Sequence, residues 1–93
     1  MAELAFLSAT VYGEVKGVYY RAFTSQLAKG LGLRGYVHNL TSMNAVEVNV
    51  EGPKDKIEEL LRQLEVGPPE AVVDHIDTRW SSFTGQFSNF EVR

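Results

Sequence analysis

The hydrophobic period of this chain changes once near its beginning, and that change constrains the fold more than any other feature. From Leu4 to Tyr12, the residues Ala5, Leu7, Ala9 and Val11 alternate with Phe6, Ser8, Thr10 and Tyr12. A period of two puts the first set on one face of a β-strand. From Ala22 to Leu31, Phe23, Leu27 and Leu31 recur at i, i+4 spacing with Ala28 beside them, which predicts a helix with a narrow apolar stripe. The stretch Gly13-Glu14-Val15-Lys16-Gly17-Val18-Tyr19-Tyr20-Arg21 joins the two. Glycine lacks a Cβ, so its N–H can face a ligand without steric conflict. The helix behind the glycines offers unpaired N–H groups and a positive dipole end, and Arg21 stands at the join. Such a stretch suits an oxyanion cradle. It also suits an ordinary strand-to-helix turn, in which the glycines serve geometry alone.

Further along, Gly30 and Gly32 end the first helix. Gly35 to Leu40 reads as a second strand, and the polar Thr41-Ser42-Met43-Asn44 as a turn in which Asn44 can take positive φ. Val46, Val48 and Val50 alternate with Glu47, Asn49 and Glu51, predicting a third strand with one apolar and one wet face. The short loop makes strands two and three a hairpin. Gly52-Pro53 opens a second helix, with Pro53 suited to the first helical position. Ile57, Leu60, Leu61 and Leu64 fit its apolar face, and Gly67-Pro68-Pro69 stops it. Ala71 to Trp80 reads as a fourth strand, and Phe90 and Val92 flank Glu91 in a short closing strand. The order strand-helix-strand-strand-helix-strand predicts an α+β, ferredoxin-like two-layer sandwich, with an antiparallel sheet and two helices on one face.

Composition narrows the function classes. The 93 residues suffice for one core and predict a single domain over 1–93. With no cysteine, disulfides, thiol nucleophiles and thiolate metal sites are excluded. No apolar run approaches the roughly 18 residues of a membrane span, and the N-terminus lacks the basic region of a signal peptide. A cytoplasmic protein without membrane association is expected. A net charge of −3 argues against a general nucleic-acid binder and requires any anion to be held by a local positive site.

The inventory of chemistry is short. His38 and His75 have no metal-pair spacing, and His75 lies near Asp74 and Asp77 as a surface histidine among solvated charges. No serine occupies a nucleophile elbow and no Walker sequence is present. Arg21 and Asn39 remain. The first loop and the end of strand two lie close together in this plan. Arginine binds a phosphate bidentately, and an asparagine amide orients water through one donor and one acceptor. The pair suits hydrolysis of a phosphoanhydride with a good leaving group, a reaction that asks mainly for positioning and charge stabilisation. Equally, Arg21 can be a surface arginine and Asn39 the start of a turn.

The residues carry a resemblance. Gly13-Glu14-Val15-Lys16-Gly17-Val18-Tyr19-Tyr20-Arg21 is similar to the first motif of the acylphosphatase family, Gly-x-Val-Gln-Gly-Val-x-Phe-Arg. Gly35-Tyr36-Val37-His38-Asn39 resembles its second, Gly-aromatic-Val-x-Asn. Gly67 to Val73 and the closing Phe87-Ser88-Asn89-Phe90-Glu91-Val92 look like the family too. The resemblance implies the same fold, and hydrolysis of small-molecule acyl phosphates to carboxylate and phosphate without metal or other cofactor. It implies Arg21 as the catalytic arginine and Asn39 as the water-positioning residue. Phosphate-binding amides would come from Val15, Lys16, Gly17, Val18, Tyr19 and Tyr20. The chain departs from the pattern at Lys16, where glutamine is usual, and at Tyr20, where phenylalanine is usual. His38 stands where lysine, arginine or glutamine is common, and Met43-Asn44 where an aspartate-glycine turn is frequent. Lys16 can add charge beside the phosphate or point to solvent. A stand-alone, monomeric acylphosphatase is the leading expectation. An inactive or partner-dependent module of the same fold is the alternative, since related domains occur in larger carbamoyl-transferring maturation proteins. An RNA-binding sheet is a third reading, with Phe6 and Tyr12 on the open face. Glu47, Asn49 and Glu51 on that face oppose it, and no nucleic-acid partner is expected.

Overall fold

The structure, a computed structural model, describes residues 3–17 and 19–93. Its elements are β1 (Leu4–Glu14), α1 (Tyr20–Gly30), β2 (Arg34–Leu40), β3 (Ala45–Pro53), α2 (Lys54–Val66), β4 (Val72–Ser81) and β5 (Phe90–Val92). The strands form one sheet in the order β4-β1-β3-β2-β5. The first four pair antiparallel, as the ferredoxin-like reading requires, while β5 runs parallel to β2 and makes the sheet mixed.

Register explains the core. Leu7 lies opposite Val50, Ala9 opposite Val48 and Val11 opposite Val46, so the apolar half of each alternation shares one face. That face packs with Ile57, Leu60 and Leu64 of α2 and with Tyr20 and Ala28 of α1 in one buried cluster. Each such aliphatic side chain contributes about 1.5–3 kcal/mol by leaving water. Trimming Leu60 to alanine would cost about 2–5 kcal/mol, because the cavity adds to the lost transfer energy.

Helix α1 differs from expectation in two ways. It starts at Tyr20 rather than Ala22, because the chain turns into it at Tyr19, whose φ is +70°. Its deeply buried line is Tyr20, Thr24, Ser25 and Ala28, whereas Phe23, Leu27 and Leu31 are only partly buried. Small residues let the helix sit close to the sheet. Thr24 Oγ1 donates to the Tyr20 carbonyl at 2.9 Å, so burying its hydroxyl leaves no orphan donor. Pro53 is likewise displaced from its predicted place: it ends β3 and occupies the N-cap of α2, and the first helical residue is Lys54.

The other sheet face is not uniformly wet. The segment after β4 crosses it to place β5 at the opposite edge. Phe87 stacks on Phe6 and tilts against Tyr36, with ring centroids 6.3 and 5.9 Å away. Thr84 donates its N–H and hydroxyl to Glu51 Oε2 at 3.0 and 2.8 Å. Glu51, expected on the wet face, is therefore 1% exposed. Tyr12 stacks on His75 at 4.5 Å, so neither aromatic proposed as a base platform is free.

Candidate active site

Two motif glycines have different work. Gly13 stands where the β1–β4 register shifts; its φ is +139°, and a Cβ there would lie 2.1 Å from the Val72 carbonyl oxygen. It serves strand packing. Gly17 has φ +72° and open space where a Cβ would stand, as a backbone wrapped around a ligand needs.

Beside Gly17 is a cleft of about 210 Å³, lined by Val15, Gly17, Tyr19, Tyr20, Arg21, Ala22, Asn39 and Val92. Of the residues expected at the site, Val15, Gly17, Tyr19, Tyr20, Arg21 and Asn39 meet there. Val18 lies outside the described residues. Lys16 takes neither course expected of its side chain. Nζ donates to the carbonyls of Leu40 and Met43 at 2.8 and 2.9 Å, in the turn between β2 and β3. That turn also lacks the predicted positive φ at Asn44, since Tyr19 is the one non-glycine residue with positive φ among those described.

Arg21 lies in the first turn of α1, a helix with no acidic residue there and no side-chain cap. A guanidinium beside a positive dipole end is unfavourable unless an anion joins them. The guanidinium takes part in none of the ion pairs among the described residues. Its Nη1 donates to the main-chain oxygen of Arg93 at 3.1 Å, which holds the side chain beside the cleft. Across the cleft, Asn39 stands one residue from the end of β2. Its Oδ1 is buried and has no hydrogen-bond partner among the described residues. An unsatisfied buried acceptor costs about 1–3 kcal/mol, so this oxygen is able to accept from a donor in the cleft.

Tyr20 carries its backbone at the cleft and its ring in the core. The hydroxyl donates to the Leu64 carbonyl at 2.7 Å, tying the start of α1 to the last turn of α2. Burial pushes its phenol pKa well above the ordinary value. Tyr19 remains exposed at the mouth, its hydroxyl accepting from Gln26 Nε2 at 2.7 Å. The αL backbone of a bulky residue costs on the order of 1–3 kcal/mol, and strain of this kind clusters at active sites and ligand clamps.

Ala22, Val92 and Arg93 reach the site without having been expected there. The closing strand was visible in the sequence, but its parallel pairing with β2, Val37 opposite Val92, was not. No described group of three His, Asp or Glu residues is arranged to hold a metal.

The chain is similar to known proteins over nearly its whole length. The chain is 46% identical over 87 residues to an acylphosphatase of Dehalococcoides mccartyi, covering 94% of this chain and 96% of that protein. The solved acylphosphatase of Coxiella burnetii superposes with a TM-score of 0.89 at 33% identity, over 97% of this chain and 93% of that one. HypF of T. kodakarensis contains a similar unit, with a TM-score of 0.80 and 32% identity over 94% of this chain but 11% of its own length. With the acylphosphatase profile itself matching residues 7–92, both motif segments and the strand that closes the cleft included, the chain belongs to the acylphosphatase family.

Proposed function

We propose that this chain hydrolyses acyl phosphates to a carboxylate and inorganic phosphate, with the 15–20 loop amides and Arg21 holding the phosphoryl group and Asn39 holding the attacking water. The observation that carries the reading is the shared cleft: a cation at a helix N-terminus and a buried amide oxygen without a partner among the described residues line the same space of about 210 Å³. In the reaction a water oxygen bonds to phosphorus. The bond from phosphorus to the acyl oxygen breaks, its electron pair leaving with the carboxylate. The water proton passes to a phosphate oxygen. A carboxylate leaves readily, so no side-chain acid is required, and the protein contributes position and charge stabilisation.

The test is phosphate release from an aromatic acyl phosphate, with and without prolonged chelation. Turnover that survives chelation is expected. A loss restored by magnesium or zinc would point to different phosphatase chemistry. A folded chain without turnover would favour the alternative of a partner-dependent module, for which the likeness to a small part of HypF is the support.

A further inference from the structure

Lys16 is the departure from the family pattern that the reaction does not absorb. The cradle begins where β1 ends, and Asn39 lies near the end of β2. These strands are not neighbours, because β3 lies between them. The ladder therefore sets the spacing of the two walls only indirectly. The turn beneath Asn39 is loosely closed, Met43 N–H reaching the Leu40 carbonyl at 3.4 Å. Lys16 crosses this gap. Its backbone belongs to the loop, while its ammonium bridges the carbonyls of Leu40 and Met43 at 2.8 and 2.9 Å, and Leu40 directly follows Asn39. One further tie, Gly13 N–H to the Asn44 carbonyl, is longer at 3.3 Å.

We propose that Lys16 is a positioning residue, its ammonium setting the distance between the phosphate loop and the strand end that carries Asn39. This rests on the proposed hydrolysis. A charged nitrogen with three donors, two of them spent on backbone carbonyls, is a strut rather than a substrate contact. Its effect is exerted through Asn39, because Leu40, whose carbonyl the ammonium holds, directly follows Asn39 in the chain. Misplacing a reactant by an ångström costs about 10²-fold, so a small relaxation of the turn is enough to slow attack.

The experiment compares wild type, Lys16→Met, Lys16→Gln, Asn39→Ala and the double variant Lys16→Met/Asn39→Ala. It measures kcat on an aromatic acyl phosphate, inhibition by inorganic phosphate, and the urea unfolding midpoint. Lys16→Met should lower kcat about 10- to 100-fold while phosphate inhibition changes less than about threefold. In the Asn39→Ala background the same change should cost less than about twofold, because both act on one water. Lys16→Gln, whose amide nitrogen has two donors for the same carbonyls, should return most of kcat. A folded Lys16→Met with kcat within about twofold of wild type overturns the proposal, as do multiplicative losses in the double variant. A Lys16→Gln as slow as Lys16→Met also overturns it. Should Lys16→Met not fold, Lys16→Ser, too short to reach either carbonyl, takes its place in the cycle. A wild type that releases no phosphate overturns the proposed hydrolysis and this inference together. An active wild type with an indifferent Lys16→Met overturns the inference alone.

Discussion

The two helices begin in opposite electrostatic states. Neither has a side-chain cap. Helix α2 follows Pro53 and carries Asp55 in its first turn, where a carboxylate offsets the positive dipole end. Helix α1 follows Tyr19 in a left-handed conformation, has no acid in its first turn, and adds Arg21. One start is arranged for stability. The other has no acidic side chain in its first turn and lines the cleft with Arg21. A helix N-terminus says little by itself; what the chain places around it decides whether it ends a structure or receives an anion.

Two buried oxygens repeat the contrast. Glu51 Oε1 and Asn39 Oδ1 both lack a hydrogen-bond partner among the described residues. Glu51, however, has its second oxygen on the Thr84 N–H and hydroxyl and is sealed by the loop that crosses the sheet. Burial raises its pKa, but those two bonds, with the Gly85 and Phe87 amides directed at the carboxylate, hold it below the ordinary value. Glu51 anchors a loop. Asn39 opens on the cleft with Arg21.

The sharpest way to break the comparison is at Arg21. Arg21→Ala should lose turnover on the order of 10³-fold, the scale of losing a charge-stabilising donor, and weaken phosphate inhibition with it. Arg21→Lys should fail nearly as badly, since an ammonium lacks the planar fork; near-normal rates for it would remove the bidentate role. Asn39→Ala is next, with kcat down about 10²-fold and phosphate inhibition nearly unchanged. A destabilised but fully active variant would reduce Asn39 to a turn residue.

Glu51→Gln should show the reverse pattern, a loss of about 1–3 kcal/mol of stability with the folded fraction fully active. Its pH dependence has a definite sign. Because the folded pKa is depressed, the carboxylate's contribution is present above the ordinary value of 4.5 and is lost as pH falls through the lower folded value. Unfolding midpoints taken downward from neutral pH should therefore fall more steeply for wild type than for Glu51→Gln, and parallel slopes would contradict the assignment. The smallest effects exchange the two helix starts. Ala22→Asp should raise stability by about 0.3–1 kcal/mol and weaken phosphate inhibition several-fold, whereas Asp55→Asn should lower stability by a similar amount and leave kcat alone. If both substitutions moved stability without touching phosphate inhibition, the potential at α1 would have no role in binding.

The sequence by itself determined most of the elements and the family, and it pointed to the residues proposed for the site. Period-two and helical spacing are local properties of an amphipathic chain, so Ala5 to Val11, Val46 to Val50 and Ile57 to Leu64 declared their strands and helix without reference to partners. The two motif segments marked Arg21 and Asn39 through their resemblance to the acylphosphatase family, not through periodicity. Tertiary structure decided everything that depends on what lies opposite. Glu51 reads as a solvent-facing residue of an alternating strand until Thr84 and Phe87 cross above it. Phe23, Leu27 and Leu31 outrank Tyr20, Thr24 and Ala28 in apolarity, yet the second line is the one buried, with the Tyr20 hydroxyl on the Leu64 carbonyl and the Thr24 hydroxyl on the Tyr20 carbonyl. Lys16 has a side chain free to reach phosphate or solvent, and the carbonyls that hold it are 24 and 27 residues away. Burial and hydrogen-bond partners are long-range properties, set by which segments the topology brings together, and a local pattern carries no record of them.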